Sequence, residues 1–137
     1  MIQAPQDIHR TIVDWCAADR PFAIALVLAA EGSTPRKAGV KAIVDGRGAI
    51  QGTIGGGLVE AEAQRHAVAA IQHGRPVVFE RPLHGQAVGA GEPICGGTMR
   101  VLIDPTVARH RAAYAAAAEA CAGRERGVLV TTIRGRS

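Results

Sequence analysis

Three glycines in a row, Gly55-Gly56-Gly57, stand inside the segment Gly52-Thr-Ile-Gly-Gly-Gly-Leu-Val-Glu60. Glycine loses more backbone entropy on folding than any other residue. A run of it therefore marks a place where the chain needs positive φ, or where its backbone must approach something closely. A second such place is Ile94-Cys-Gly-Gly-Thr98, where a lone cysteine stands beside two glycines. Together the two segments outline a backbone cradle for an anionic ligand with a thiol nearby.

The chain has 137 residues, which suits a single domain over residues 1–137 with a modest core. Aromatics make up only 3%, so the core has to be built from Val, Ile, Leu and Ala. The net charge of +4 fits an anionic small molecule or an acidic protein partner. It does not favour nucleic acid, because aromatic stacking surface is scarce and no block of five or more Lys and Arg occurs. The three cysteines, Cys16, Cys95 and Cys121, form no CxxC or zinc-ligand spacing and read as free thiols in a reducing cytoplasm. The first residues lack the pattern of a signal peptide. The longest apolar run, Phe22 to Ala30, is too short to span a bilayer, so no membrane association is expected.

Asp7 is placed to cap a helix through about Ala18, with Ile8, Ile12 and Trp15 on one face. Phe22 to Ala30 reads as a strand buried on both faces. Val40 to Val44 and Ala49 to Ile54 read as strands joined by the hairpin signal Asp45-Gly-Arg-Gly48. A helix is expected from about Leu58 to Gln72, with Val59, Ala63, Ala67 and Ile71 inward and Gly74 closing it. Further strands are expected over Pro76–Arg81 and Thr98–Ile103, with a loop from Pro82 to Pro93 between them. Asp104-Pro105 is expected to start an Ala-rich helix that reaches about Cys121 and buries Val107, Tyr114 and Ala118. Gly127 to Ile133 reads as a last strand. It echoes the stretch from Leu26 to Ser33, either as a repeat or as a generic apolar strand. The expected class is α+β, a mixed and partly antiparallel sheet with about three helices and no Rossmann domain.

Gly55, Gly56 and Gly57 follow a strand and precede a helix whose cap position has no Ser, Thr, Asp or Asn. The first helical N–H groups are then available to an anion, unless the glycines only make a tight turn. The spacing is neither GxGxxG nor GxxxxGK[ST], so no dinucleotide or P-loop fingerprint applies. Glu60, in the first helical turn, is either a solvated carboxylate or a pocket residue holding a ligand amine. Cys95, flanked by Gly96 and Gly97, is either a buried structural thiol or a soft ligand for a metal or a sulfur carrier. Cys16 and Cys121 are expected in the core. Ser33 and Arg36, with Thr34 and Lys37, form either an oxyanion-binding loop or a solvated tip. Of the five histidines, none in an HxH or HExxH pattern, only His84 lies near these segments.

Four segments occur in order: Glu31-Gly-Ser-Thr-Pro-Arg36, Val40-Lys-Ala-Ile-Val-Asp-Gly46, Gly52-Thr-Ile-Gly-Gly-Gly-Leu-Val-Glu60 and Cys95-Gly-Gly-Thr98. In these the chain resembles the N-terminal domain of the XdhC/CoxI family, the xanthine dehydrogenase accessory factors. The resemblance covers about residues 22–105. It implies binding and protection of molybdenum cofactor (molybdopterin), held transiently and passed to an apo molybdenum hydroxylase. It also implies contact with a cysteine desulfurase that supports sulfuration. By motif position, Cys95 would contact sulfur or molybdenum. Gly55, Gly56, Gly57, Gly96 and Gly97 would form the cradle, Glu60 a polar pocket residue, and Ser33 and Arg36 the facing loop. Two departures stand out. The family usually carries a cysteine in the second motif, where this chain has Leu58, so one thiol of a pair is missing. Typical members also continue into a Rossmann domain, which is not seen in this sequence; it is then a short family member, one domain of a longer protein, or a half that works with a separate Rossmann-domain chain.

Three functional classes follow. The first is a cofactor-binding and insertion chaperone for a xanthine dehydrogenase or related enzyme, which works without turnover and is expected as a homodimer. The second is an oxidoreductase related to the family, which the absence of a recognisable acid–base set disfavours. The third is a non-catalytic interaction subunit, in which the glycines serve only close packing.

Overall fold

The computed structural model describes residues 7–31, 38–84 and 96–134. Helix α1 (Ile8–Ala17) leads into strand β1 (Phe22–Glu31), followed by β2 (Lys41–Asp45) and β3 (Ile50–Gln51). Helix α2 (Gly57–His73) precedes β4 (Val77–His84) and β5 (Gly96–Asp104). A 3-10 turn (Val107–His110) then leads into α3 (Arg111–Ala122). The five strands form one sheet in the order β3-β2-β1-β5-β4. Every described pairing is antiparallel. The expected α+β class with three helices is what is found.

Strand β1 sits at the centre and is buried on both faces, as its unbroken apolar sequence requires. Ala23, Ala25 and Val27 face α2, in a core shared with Val44, Ile54, Val59, Ala63, Ala67, Phe79, Met99, Val101 and Ile103. Phe22, Ile24 and Leu26 face α1 and α3, in a second core with Ile12, Trp15, Ile43, Leu102, Val107 and Tyr114. Trp15 fixes α1 to the head of β1, packing edge-on against Phe22 at 5.7 Å with the Arg20 guanidinium 3.8 Å above its ring. On the other layer, His66 of α2 stacks on Phe79 of β4 at 4.7 Å, and Arg81 pairs with Glu62.

Local signals act as read. The Asp7 carboxylate caps α1 by accepting from the His9 N–H at 3.1 Å. Asp45 Oδ1 accepts from the N–H groups of Arg47 and Ala49 and shapes the β2–β3 hairpin. Gly74, at φ +70°, closes α2. Five expectations need correction. Strand β3 stops at Gln51, because Gly52 (φ +85°) turns away while lying against the Lys41 carbonyl and Ala42. Strand β4 continues past Arg81 to His84, with Pro82 paired to Thr98, so His84 belongs to a strand. Asp104 does not start α3. Its carboxylate instead accepts from the Thr106 N–H at 2.8 Å and hydroxyl at 2.6 Å, and the chain passes through the 3-10 turn first. Residues 127–133 are assigned no strand and pair with none of the described strands. Cys121 is exposed, because the inward stripe of α3 runs through Tyr114 and Ala118 and leaves the last turn at the surface; Cys16 is buried as expected.

Two outcomes follow from this packing. Ile43→Ala, at a fully buried site between β1 and β3, is expected to lower unfolding free energy by about 2–5 kcal/mol in urea titration. Burial, then the charge of Asp104, then that of Cys16, raises the pKa of Tyr114 above its ordinary value of 10.0. The folded chain thus holds this proton more tightly than the unfolded chain, and the contribution is intact below pH 10.0. It is lost as pH rises through the higher folded value. Melting measured from neutral to strongly alkaline pH should show that loss in wild type and a shallower one in Tyr114→Phe.

Candidate functional site

The geometry of β3 sends the glycine run toward one end of the sheet. Gly52 lies against Lys41 and Ala42, and Lys41 pairs with Leu26 of β1. The last described residue of β1, Glu31, and the first of β5, Gly96, belong to this same end, since Glu31 pairs with Thr98. Helix α2 begins here at Gly57. Ser33, Arg36 and Cys95 lie outside the described residues. Gly96 and Gly97 open β5, paired with His84 and Leu83 of β4. Among the described residues, the β1–β5 pairing runs as far as Glu31 with Thr98.

Gly55, Gly56 and Gly57 have φ values of +132°, +77° and +63°. Three consecutive residues in the positive region explain why three glycines occur together: a Cβ would be strained at each. Gly56, at φ +77° and ψ −177°, is the N-cap of α2, and no side chain caps the helix. The N–H of Gly55 is occupied, donating to Thr53 Oγ1 at 3.1 Å. The first N–H groups of α2 have no partner within the helix, and the positive end of the helix dipole adds to them. Among the described residues, a Cβ built on Gly57 meets nothing within 4 Å. Below it, the fully buried Ile54 anchors the turn in the α2-side core.

Glu60 folds back on this turn. Its Oε2 would lie 3.6 Å from a Cβ on Gly56. The turn therefore offers two unlike functions side by side, amide donors for an anion and a carboxylate for a donor group. A compact dianion would be repelled by Glu60, whereas an extended ligand with an anionic end and an N–H-bearing end satisfies both. Leu58, where a thiol was noted as missing, is 66% exposed in the first turn of α2.

Two features were not singled out from sequence. Lys41, half-buried at the same sheet end, has its pKa lowered by burial and forms no ion pair among the described residues. The signal was present as a single cation opening the apolar strand Lys41-Ala-Ile-Val. On the layer of α1 and α3, Asp7, His9 and Cys121 each place a potential ligand atom within 4.8 Å of the others. That grouping arises from α1 packing against α3 and has no counterpart in spacing along the chain.

Gly56→Ala puts a Cβ into a conformation open essentially to glycine alone. It is expected to cost on the order of 1–3 kcal/mol in chemical denaturation while leaving far-ultraviolet helix content unchanged.

The comparisons with known proteins follow this geometry. Residues 15–81, which run from Trp15 through α2 into β4, match the XdhC and CoxI family. The uncharacterized protein YqeB of Escherichia coli (strain K12) is 37% identical over 83 residues, a stretch that is 61% of this chain and 15% of that protein. A crystal structure described as a xanthine dehydrogenase from Bacillus halodurans superposes with a TM-score of 0.64 at 24% identity, covering 84% of this chain and 35% of that one. That likeness shows a shared fold. The chain thus spans about a seventh of YqeB and about a third of the Bacillus chain. The chain is thus similar to the XdhC and CoxI family over residues 15–81, and to YqeB over 83 residues.

Proposed function

We propose that this chain binds molybdenum cofactor and assists its insertion into a xanthine dehydrogenase or related molybdenum hydroxylase, acting as a carrier rather than a catalyst. The observation that carries this reading is the uncapped start of α2 behind three positive-φ glycines. Molybdopterin has an anionic phosphate at one end and a pterin bearing N–H groups at the other. The amide donors of the turn suit the phosphate, and the Glu60 carboxylate suits the pterin amine. The match of residues 15–81 to the XdhC and CoxI family and the name of the Bacillus halodurans protein, xanthine dehydrogenase, support the same class of client.

In this reading Gly55, Gly56 and Gly57 hold the phosphate and Glu60 orients the pterin. Cys95, with Gly96 and Gly97, supplies a soft contact to molybdenum or sulfur. Ser33 and Arg36, in the segment that follows β1, are assigned to the anion as well. When bound, the cofactor supplies the oxygen- and sulfur-transfer chemistry that the client enzyme later uses. The partners are the apo hydroxylase and a cysteine desulfurase, with the carrier itself a homodimer in the cytoplasm.

The test is an anaerobic titration with released molybdenum cofactor, comparing wild type, Gly56→Ala and Cys95→Ser, each confirmed folded. Near-stoichiometric binding to wild type is expected. Gly56→Ala should weaken it about tenfold, or ~1.4 kcal/mol. Weakening by Cys95→Ser would assign the thiol to the metal, and equal affinity would remove it from the mechanism. Failure of folded wild type to bind would overturn the carrier reading and favour an interaction subunit.

A further inference from the structure

Where the start of α1 meets the end of α3, three unlike side chains come together. Asp7 is the N-cap of α1, His9 stands in its first turn, and Cys121 lies in the last turn of α3. One carboxylate oxygen, one ring nitrogen and the thiol sulfur are all within 4.8 Å of one another. Both helices pack on the sheet face opposite α2.

Ordinary structural roles account for two of the three. Asp7 Oδ1 accepts from the His9 N–H at 3.1 Å and lies 3.0 Å from His9 Nδ1. The His9 ring also stacks on Tyr114 of α3, with 6.3 Å between centroids and an interplanar angle of 27°, which sets its plane against that helix. Neither role involves Cys121. The inward stripe of α3 runs through Tyr114 and Ala118, and the thiol stands outside it, exposed. A free cysteine usually contributes as a small buried hydrophobe, and this one does not. What it has instead is a carboxylate and an imidazole within reach. The far side of the ring adds a second observation. His9 Nε2 is shut off from solvent and has no hydrogen-bond partner among the described residues. The ring proton can occupy Nε2 without displacing another donor, which leaves the Nδ1 lone pair for a ligand bond.

The donor set selects the kind of ligand. Bonds of about 2.0–2.3 Å to oxygen, nitrogen and sulfur place the donors of a tetrahedral Zn²⁺ roughly 3.3–3.6 Å apart. Asp7 Oδ1 and His9 Nδ1 are already near that separation at 3.0 Å. The sulfur has to close by on the order of 1 Å or less, within the reach of a rotation of an exposed side chain. Mg²⁺ and Ca²⁺ take six or more oxygens, and one carboxylate does not supply them. Thiolate and imidazole favour a softer ion. A carboxylate and a thiolate together balance two positive charges, so the loaded site is neutral, as a partly buried position favours.

We propose that Asp7, His9 and Cys121 form a binding site for Zn²⁺. Asp7 Oδ1 and His9 Nδ1 come from α1 and Cys121 Sγ from α3. On binding, the thiol releases its proton to solvent, the ring proton resides on Nε2, and three bonds form to the ion, with water in the fourth position. The ion clips the cap of α1 to the last turn of α3 and closes the seam over the core of Ile12, Trp15 and Tyr114. The site uses none of the residues assigned to molybdenum cofactor, so it stands or falls apart from the carrier reading.

The test is an anaerobic titration of the full chain with cobalt(II) chloride, followed by Zn²⁺ as competitor. The readouts are thiolate-to-cobalt charge-transfer absorption and the visible bands of a tetrahedral ion. One cobalt per chain is expected, displaced by an equivalent of Zn²⁺, with a raised melting temperature in the presence of either ion. Cys121→Ser, at an exposed position, should fold as wild type and lose the charge-transfer band. Asp7→Asn keeps a capping oxygen and His9→Phe keeps a ring against Tyr114. Each should weaken binding by at least about tenfold. Cys95→Ser should leave it unchanged. Absence of the band in folded wild type would overturn the proposal. So would a band that survives Cys121→Ser or is lost in Cys95→Ser, or an affinity that neither Asp7→Asn nor His9→Phe lowers.

Discussion

Burial of β1 on both faces is the constraint on which the remaining architecture depends. A strand with nine apolar residues in succession cannot leave either face in water. One face carries Ala23 and Ala25, whose small side chains let α2 approach through its own Ala63, Ala67 and Ala70. The other carries Phe22, Ile24 and Leu26, which need the bulk of Trp15, Ile12 and Tyr114 to fill the space beneath α1 and α3. Antiparallel neighbours on both edges satisfy its backbone groups. With β1 placed, the short β2–β3 hairpin must lie on one side and the β4–β5 pair on the other. The start of α2 then falls at the sheet end where β1 finishes.

Much of this was legible in the sequence wherever one local signal acted alone. The Asp7 cap, the Asp45 hairpin and the Gly74 stop involve side chains or φ preferences that operate within a few residues. The inward stripe of α2 was read from periodicity as Val59, Ala63 and Ala67 and is found buried; Ile71 is only partly buried, and Ala70 takes the inner position at that turn. Misreadings came where two signals competed. Asp104 had the composition of a helix cap, but Thr106 lies close enough to capture its carboxylate. Residues 127–133 had strand composition, but composition does not say whether an edge is available.

The candidate site divides in the same way. Its floor was legible, because three adjacent glycines have few explanations and the positive φ angles supply one. The position of Glu60 against Gly56 was foreseeable from helical geometry, which brings the first turn back over the cap. The arrival of Lys41 at the same end was not, because it depends on the register of β2 against β1. The grouping of Asp7, His9 and Cys121 was hidden for a similar reason, since it joins opposite ends of two helices that are distant in sequence.

The glycine turn presents backbone amides rather than side chains. A site of that kind is nearly blind to the chemistry of the residues around it, provided the backbone angles are kept. Leu58 illustrates this: it stands at the rim with its side chain in solvent, while its amide belongs to the same donor set as that of Gly57. Changing what projects from the rim alters reactivity without rebuilding the floor. A thiol in place of the Leu58 side chain would leave the backbone of the turn as it is. What the turn presents and what projects from its rim are set independently.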